Sequence, residues 1–256
     1  MWPTGIALSS DEKKLFVLSH YSASIDVVDT TTNAVMNKIQ FTTDLKPRTD
    51  SISTMKIDKS RNRLYVAWPE LGLIGVADGN NNSVLGTIDL TLYGFDRTKA
   101  ANQGPGVITL EVSEKNNKLY AYLKNERKTV IFNGDTLGSE GESTLGMFRV
   151  NDGKNLYYVG STVLDATTLA EVGSFSHGQR VIAFDNSADA VYLYDMVMVD
   201  NGWKQETVYE FIGGVLTRQW SLDKVRTMES GFSFDFMTHQ FSVAYFETGI
   251  VKTYAL

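Results

Sequence analysis

Residues 11–35 read DEKKLFVLSHYSASIDVVDTTTNAV: a charged turn, two alternating apolar runs and an Asp-Thr-rich turn. Alternation of apolar and polar residues over five or six positions, bounded by turn-forming residues, is the signature of half-buried strands in an antiparallel hairpin. The same order recurs along the chain. SSDEKKLFVL (9–18) is followed by DKSRNRLYVA (58–67), SEKNNKLYAY (113–122), NDGKNLYYV (151–159), DNSADAVYLY (185–194) and DFMTHQFSVAY (235–245). The apolar anchors Leu15, Leu64, Leu119, Leu156, Val191 and Phe241 are spaced by 49, 55, 37, 35 and 50 residues. That period, scattered about roughly 40 to 50, is the period of four-stranded propeller blades with loops of variable length.

Each anchor strand has a short apolar strand upstream, such as TGIALS or RVIAFD, and a third strand downstream, such as SIDVVD or LIGVAD. A fourth strand follows in five copies, with LGSEGEST the poorest match. The expectation is an all-β chain, a β-propeller of four-stranded antiparallel blades with six repeat units and six or seven blades in all. The units run over about 3–41, 50–90, 106–142, 143–177, 178–224 and 225–256, forming one domain over 1–256. Because the last unit stops on a third strand, a longer polypeptide in which preceding sequence completes the ring is a further expectation.

Composition narrows the function classes. The 256 residues are 43% apolar and 21% charged, enough for a substantial core. A net charge of -6 disfavours a general nucleic-acid binder, whose phosphate contacts need a basic face. With no cysteine, disulfides, thiolate nucleophiles and Cys-ligated zinc or iron-sulfur clusters are excluded. No apolar run approaches the roughly 18 residues of a membrane-spanning helix.

Asp11, Asp58, Asp185 and Asn116-Asn117 fall at the first hairpin turn of their units, and Asp29, Asp78 and Asp165 close third strands. Short polar side chains there bond the backbone and tolerate left-handed conformations, so they read as turn formers. Phe16, Tyr65, Tyr120, Tyr157 and Tyr192 recur at one strand position and read as packing between blades. His20, His177 and His239 lack metal-ligand spacing, and no nucleophile elbow, phosphate loop or dinucleotide fingerprint occurs. No catalytic residue, metal or cofactor is assigned.

The stretch PTGIALSSDEKKLFVLSHYSASIDVVDTTTNAVMNKIQ (3–40) resembles the YVTN-type propeller repeat of YncE-like and surface-layer proteins. That pattern has a Pro-x-Gly-Ile-Ala strand, a charged turn, Leu-Tyr-Val and an Ile-Asp-Val-Ile-Asp-Thr strand. The first unit matches well, the second fairly, the others in outline. The resemblance implies an extracytoplasmic, seven-bladed propeller that is periplasmic, secreted or at the cell surface, in a family of heterogeneous function.

In meanders of this kind the fourth-to-first and second-to-third connections share one face. That face carries the long insertions: TTDLKPRTD (42–50), TLYGFDRTKAANQGPG (91–106), SHYSAS (19–24), WPELG (68–72) and DMVMVDNGWKQET (195–207). Long connections in compact domains are disproportionately functional. The candidate partner-binding residues are therefore His20, Tyr21, Arg48, Trp68, Tyr93, Arg97, His177, Arg180 and Trp203, with Glu70 and Lys99 alongside. Exposed Trp, Tyr and Arg dominate interface energetics. The expected function is a non-enzymatic binding or scaffold module for a protein, a glycan or other subunits of an assembly. The alternatives are a lactonase-like or dehydrogenase-associated propeller enzyme, and a single-stranded nucleic-acid binder in which Trp68, Tyr93 and Trp203 stack bases.

Overall fold

Asx-type turns set the strand boundaries. Asp29 Oδ1 accepts from the backbone N–H groups of Thr31 and Thr32, both at 2.8 Å. Asp165 does the same for Thr167 and Thr168 at 3.0 and 2.7 Å, and Asp185 for Ser187 at 2.9 Å. Asn33, Asn62, Asn82, Asn117 and Asn155 take left-handed conformations at turn positions, which asparagine tolerates better than other side-chain-bearing residues. These acidic and amide residues act as turn formers, as their positions imply.

The computed structural model describes residues 3–19, 23–41, 54–100, 108–143, 148–178, 180–200, 203–222, 231–235, 240–245 and 250–256. Among the described residues, twenty-three strands form six antiparallel meanders. Sheet I contains β1 (Pro3–Leu8), β2 (Lys14–Ser19), β3 (Ser24–Asp29) and β4 (Val35–Gln40). Sheet II contains β5 (Thr54–Asp58), β6 (Arg63–Trp68), β7 (Leu73–Asp78) and β8 (Ser83–Asp89). Sheet III contains β9 (Ile108–Ser113), β10 (Lys118–Leu123), β11 (Lys128–Asn133) and β12 (Ser139–Ser143). Sheet IV contains β13 (Phe148–Asn151), β14 (Leu156–Val159), β15 (Thr162–Asp165) and β16 (Glu171–Ser174). Sheet V contains β17 (Arg180–Asp185), β18 (Ala190–Asp200), β19 (Trp203–Ile212) and β20 (Val215–Ser221). Sheet VI contains β21 (Gly231–Asp235), β22 (Gln240–Tyr245) and β23 (Ile250–Ala255), three strands among the described residues. The six repeat units are thus six blades of a β-propeller.

The chain divides into two compact halves, Met1–Met147 and Phe148–Leu256. In the N-terminal half, period-two alternation sends the two faces of sheet II into different cores. Leu64, Val66 and Trp68 join Phe16, Leu18, Ile25, Val27 and Phe41 of the first unit, while Tyr65, Ala67, Ile74 and Val76 join Leu110, Leu119, Val130 and Phe132 of the third. In the C-terminal half, Val191, Leu193 and Phe211 of sheet V pack with Tyr158 and Val163 of sheet IV, and Val208 packs with Phe241 and Val243 of sheet VI. The recurring aromatics Phe16, Tyr65, Tyr120, Tyr157 and Tyr192 are all buried.

A repeated cation ties successive sheets of the N-terminal half. Lys14, the first residue of β2, donates through Nζ to the carbonyl oxygens of Gly79 (2.9 Å) and Asn80 (3.0 Å) in the turn after β7. Arg63, the corresponding first residue of β6, donates through Nη1 to the carbonyl of Gly134 in the turn after β11. Among the described residues no helix is long and apolar enough to cross a membrane.

Candidate functional site

The insertion at 195–207, expected as a loop, is regular structure. Strands β18 and β19 continue past the rest of sheet V as a two-stranded ribbon, with Val197 opposite Gln205 and Met198 opposite Lys204. Pairing to β17 ends at Arg180–Tyr194, and pairing to β20 ends at Thr207–Ser221. The Asn201-Gly202 dipeptide in the middle of the insertion is the sequence signal for such a hairpin. On the ribbon Val197, Met198 and Val199 are 55%, 62% and 41% exposed, three consecutive apolar residues carried clear of the core.

The base of the ribbon is held by buried polar groups. Tyr194 donates its hydroxyl to Glu206 Oε1 at 2.7 Å, and Tyr192 donates to Glu210 Oε1 at 2.9 Å. Thr217 Oγ1 lies 2.8 Å from Glu210 Oε2. Glu206 and Glu210 are both buried, and a buried carboxylate is tolerable only with such donors. Burial pushes the Tyr192 phenol well above its ordinary range, and the bond to Glu210 and that carboxylate's charge push it further.

Two of the expected residues, His177 and Arg180, lie near this base, against rings on opposite faces of sheet V. The His177 ring stacks on Tyr209 with centroids 5.3 Å apart and planes at 27°, and its Nδ1 lies 2.8 Å from Ser176 Oγ. The Arg180 guanidinium sits 5.2 Å from the Tyr194 ring centroid, within cation–π range. Burial raises the Tyr209 phenol, assisted by the charge of Asp195. Trp203 begins β19 opposite Asp200, on the ribbon itself.

The expected residues of the N-terminal half have other surroundings. Trp68, expected on an exposed interaction face, is fully buried at the end of β6, its ring 4.9 Å from that of Phe41 in an edge-on pair. The residue belongs to the core between sheets I and II, because Gly75 leaves room for the indole beside β7. Tyr93 is half-buried, ring edge-on to Phe132 at 5.2 Å. Arg97 is exposed and its Nη2 lies 3.2 Å from Asp89 Oδ1. Burial alone would raise the Asp89 carboxyl, but bonds from Thr91 and the charge of Arg97 outweigh it and hold the group low. Glu70 sits in the 3-10 turn Pro69–Leu71, and Lys99 in the four-residue helix Arg97–Ala100. His20, Tyr21, Arg48 and His239 lie outside the described residues. Among the described residues no group of three or more His, Asp or Glu side chains stands close enough to hold a metal ion.

Sequence reasoning missed Val197, Met198 and Val199, together with the Tyr194–Glu206 and Tyr192–Glu210 pairs. The first three were legible from the hairpin dipeptide. The pairs join residues 12 and 18 positions apart and become neighbours only once β18 and β19 are in register.

No family model matches the chain, and no curated protein sequence does. Solved structures do match. The β-propeller domain of Myceliophteria thermophila Cps50 (Swd1) superposes with a TM-score of 0.63 at 12% identity, over 99% of this chain and 84% of that one. Hsv2 of Kluyvelomyces marxianus matches with a TM-score of 0.58 at 10% identity, over 99% of this chain and 72% of that one. Kluyveromyces lactis Hsv2 gives 0.55 at 15% identity, over 94% and 71%. Likeness at such low identity speaks for architecture alone, and it agrees with the stacked meanders: the chain has the β-propeller fold.

Proposed function

We propose that the chain is a non-enzymatic binding or scaffolding module whose partner is a protein, held by the β18–β19 ribbon and the connection that carries His177. The observation that carries this reading is the ribbon: two strands extended beyond their sheet, with Val197, Met198 and Val199 exposed in succession. Consecutive apolar residues on a solvent-exposed, two-stranded ribbon are an aggregation hazard unless something covers them. Aromatic and cationic groups at the base, His177 on Tyr209 and Arg180 beside Tyr194, are of the types enriched at interface anchors. Open strand edges also offer main-chain pairing to an extended partner segment.

Action outside the cytoplasm belongs to the same proposal and is supported by the YVTN-type pattern of residues 3–40. The test is site-specific photo-crosslinking in the native host, with the reactive group at position 198 and, as control, at Val35 on the outer strand β4, itself 64% exposed. One defined protein should be captured from 198, and not from 35, in the extracytoplasmic fraction. Capture should disappear when Val197 and Val199 are both changed to Ser. Equal labelling from both positions would refute the assignment of the surface.

A further inference from the structure

The strands of sheet IV, β13 to β16, are four residues each, whereas the two that face them across the interface, β17 and β18, have 6 and 11. At the first-hairpin end of this interface lies a cavity of about 250 Å³, walled by Leu156, Tyr158, Val163, Phe175 and Val191, with Val172, itself exposed, also in its lining. The wall rings of Tyr158 and Phe175 are stacked, 6.0 Å between centroids and 23° between planes. Its charged groups, Lys154 and Asp189, pair with each other. Gly173 contributes no side chain, and a Cβ built there would meet nothing within 4 Å.

We propose that this cavity is a binding site for an uncharged, flat aromatic molecule of about the size of indole. Size is the first argument: a dry cavity of about 150 Å³ accepts benzene, so the larger volume suits a bicyclic ring. Charge is the second. Lys154 and Asp189, the charged groups of the lining, already pair with each other, and the rest of the wall is mainly apolar, so the cavity offers an ionic ligand no unpaired counter-charge, whereas a neutral ring displaces only water. Shape is the third, since two aromatic walls favour a planar guest in offset or edge contact. The proposal is independent of the protein partner on the ribbon.

Gly173 supplies a clean test. It pairs with Val163, so a side chain there would point to the same face as Val163 and into the cavity. Asn37 occupies the same place in β4, opposite Val27 and next to the same register shift, so this position accepts a side chain without disturbing the sheet. Indole, indole-3-acetate and N-acetyltryptophanamide are titrated by calorimetry into the wild-type chain, Gly173→Leu and Gly173→Asn, with thermal melting as the control for folding. Indole should bind the wild type saturably at one site, indole-3-acetate at least ten-fold more weakly. Gly173→Leu should weaken indole at least ten-fold with no loss of melting temperature. Gly173→Asn, the smaller plug, should fall between and serves if the leucine variant melts early. In methyl NMR spectra of the wild type, indole should shift Val163 and Val191. Absence of saturable indole binding, equal binding by both variants, or tighter binding of the anion would overturn the proposal. Binding of N-acetyltryptophanamide without binding of indole would overturn it in favour of a partner's side chain.

Discussion

Trp68 is where the core and the interaction-face readings part, and its environment fixes the size of the effect. The side chain is fully buried against Phe41, 4.9 Å between ring centroids. Trp68→Ala should destabilise the chain by about 3–5 kcal/mol, through lost burial and the void left behind. About 0.5–1.5 kcal/mol of this belongs to the edge-on ring pair. Gly75 gives an independent handle on the same contact. A Cβ at that position would lie 2.5 Å from Cζ3 of Trp68 and 2.6 Å from Cε1 of Phe41, so Gly75→Ala forces both rings to move and should cost about 1–3 kcal/mol. With Trp68 already removed, only the Phe41 contact resists the new methyl group. The Gly75→Ala penalty should therefore shrink in the Trp68→Ala background, giving a coupling of about 0.5–3 kcal/mol. Urea unfolding of the wild type, both single variants and the double variant at neutral pH, followed by circular dichroism, measures all of it. A Trp68→Ala variant within about 0.5 kcal/mol of wild type, as for surface substitutions, would refute the buried placement. Additive penalties would refute the contact with Gly75.

Tyr65 is buried, and burial pushes its phenol up to about 12 from an ordinary 10.0. Folding is then favoured below pH 10, and the contribution is lost as pH rises from 10 towards 12; by linkage this amounts to about 1–3 kcal/mol. Tyr65→Phe should flatten that alkaline limb in unfolding measured between pH 9 and 12. Lys14→Met removes the donors to the Gly79 and Asn80 carbonyls and should destabilise by about 1–2 kcal/mol in thermal or urea unfolding. Asp165 is held low by the backbone N–H of Thr168 first and then by the Thr168 hydroxyl. A depressed carboxyl stabilises above its ordinary value of 3.8 and ceases to do so as pH falls through the lower folded value, so Asp165→Ala should give a shallower acid limb below pH 4.

Turns and anchor aromatics could be read in the sequence because their causes are local. An Asp that accepts from the N–H groups two and three residues later, as Asp29 does, carries its partners with it. The poorest fourth strand, β12, was legible from position more than from composition. It lies at the edge of sheet III and pairs through its backbone with β11, while Glu140 accepts from Asn133 at 2.7 Å and Glu142 from Lys128 at 2.8 Å. Trp68 was not legible. A tryptophan before a proline, in an insertion, has the local character of a loop residue, and its burial depends on Phe41 and Gly75, 27 and 7 positions away. Of the residues expected on the long-loop face, His177 and Arg180 lie near the base of the ribbon, and the reading of 195–207 as a loop hid the ribbon itself.

The same strand position in each repeat shows how the two halves differ. The first residue of the second strand is Lys14, Arg63 and Lys118 in the N-terminal half, and Leu156, Ala190 and Gln240 in the C-terminal half. Leu156, grouped by sequence with Leu15 and Leu64, pairs with Asp165 as Lys14 pairs with Asp29 and Arg63 with Asp78, so the register places it one position earlier than that grouping. Where that residue is Lys14 or Arg63, it reaches the carbonyl after the third strand of the next sheet and pins the two together. At Leu156 no cation is available, and sheets IV and V are linked instead by Asn151 Nδ2 donating to Asn186 Oδ1 at 2.8 Å and by the Lys154–Asp189 pair. Both links lie among the first hairpin turns, and the cavity sits at this same end of the interface, with Lys154, Asp189 and Leu156 in its lining. Leu156 thus lines a cavity at the register position from which Lys14 and Arg63 reach the next sheet.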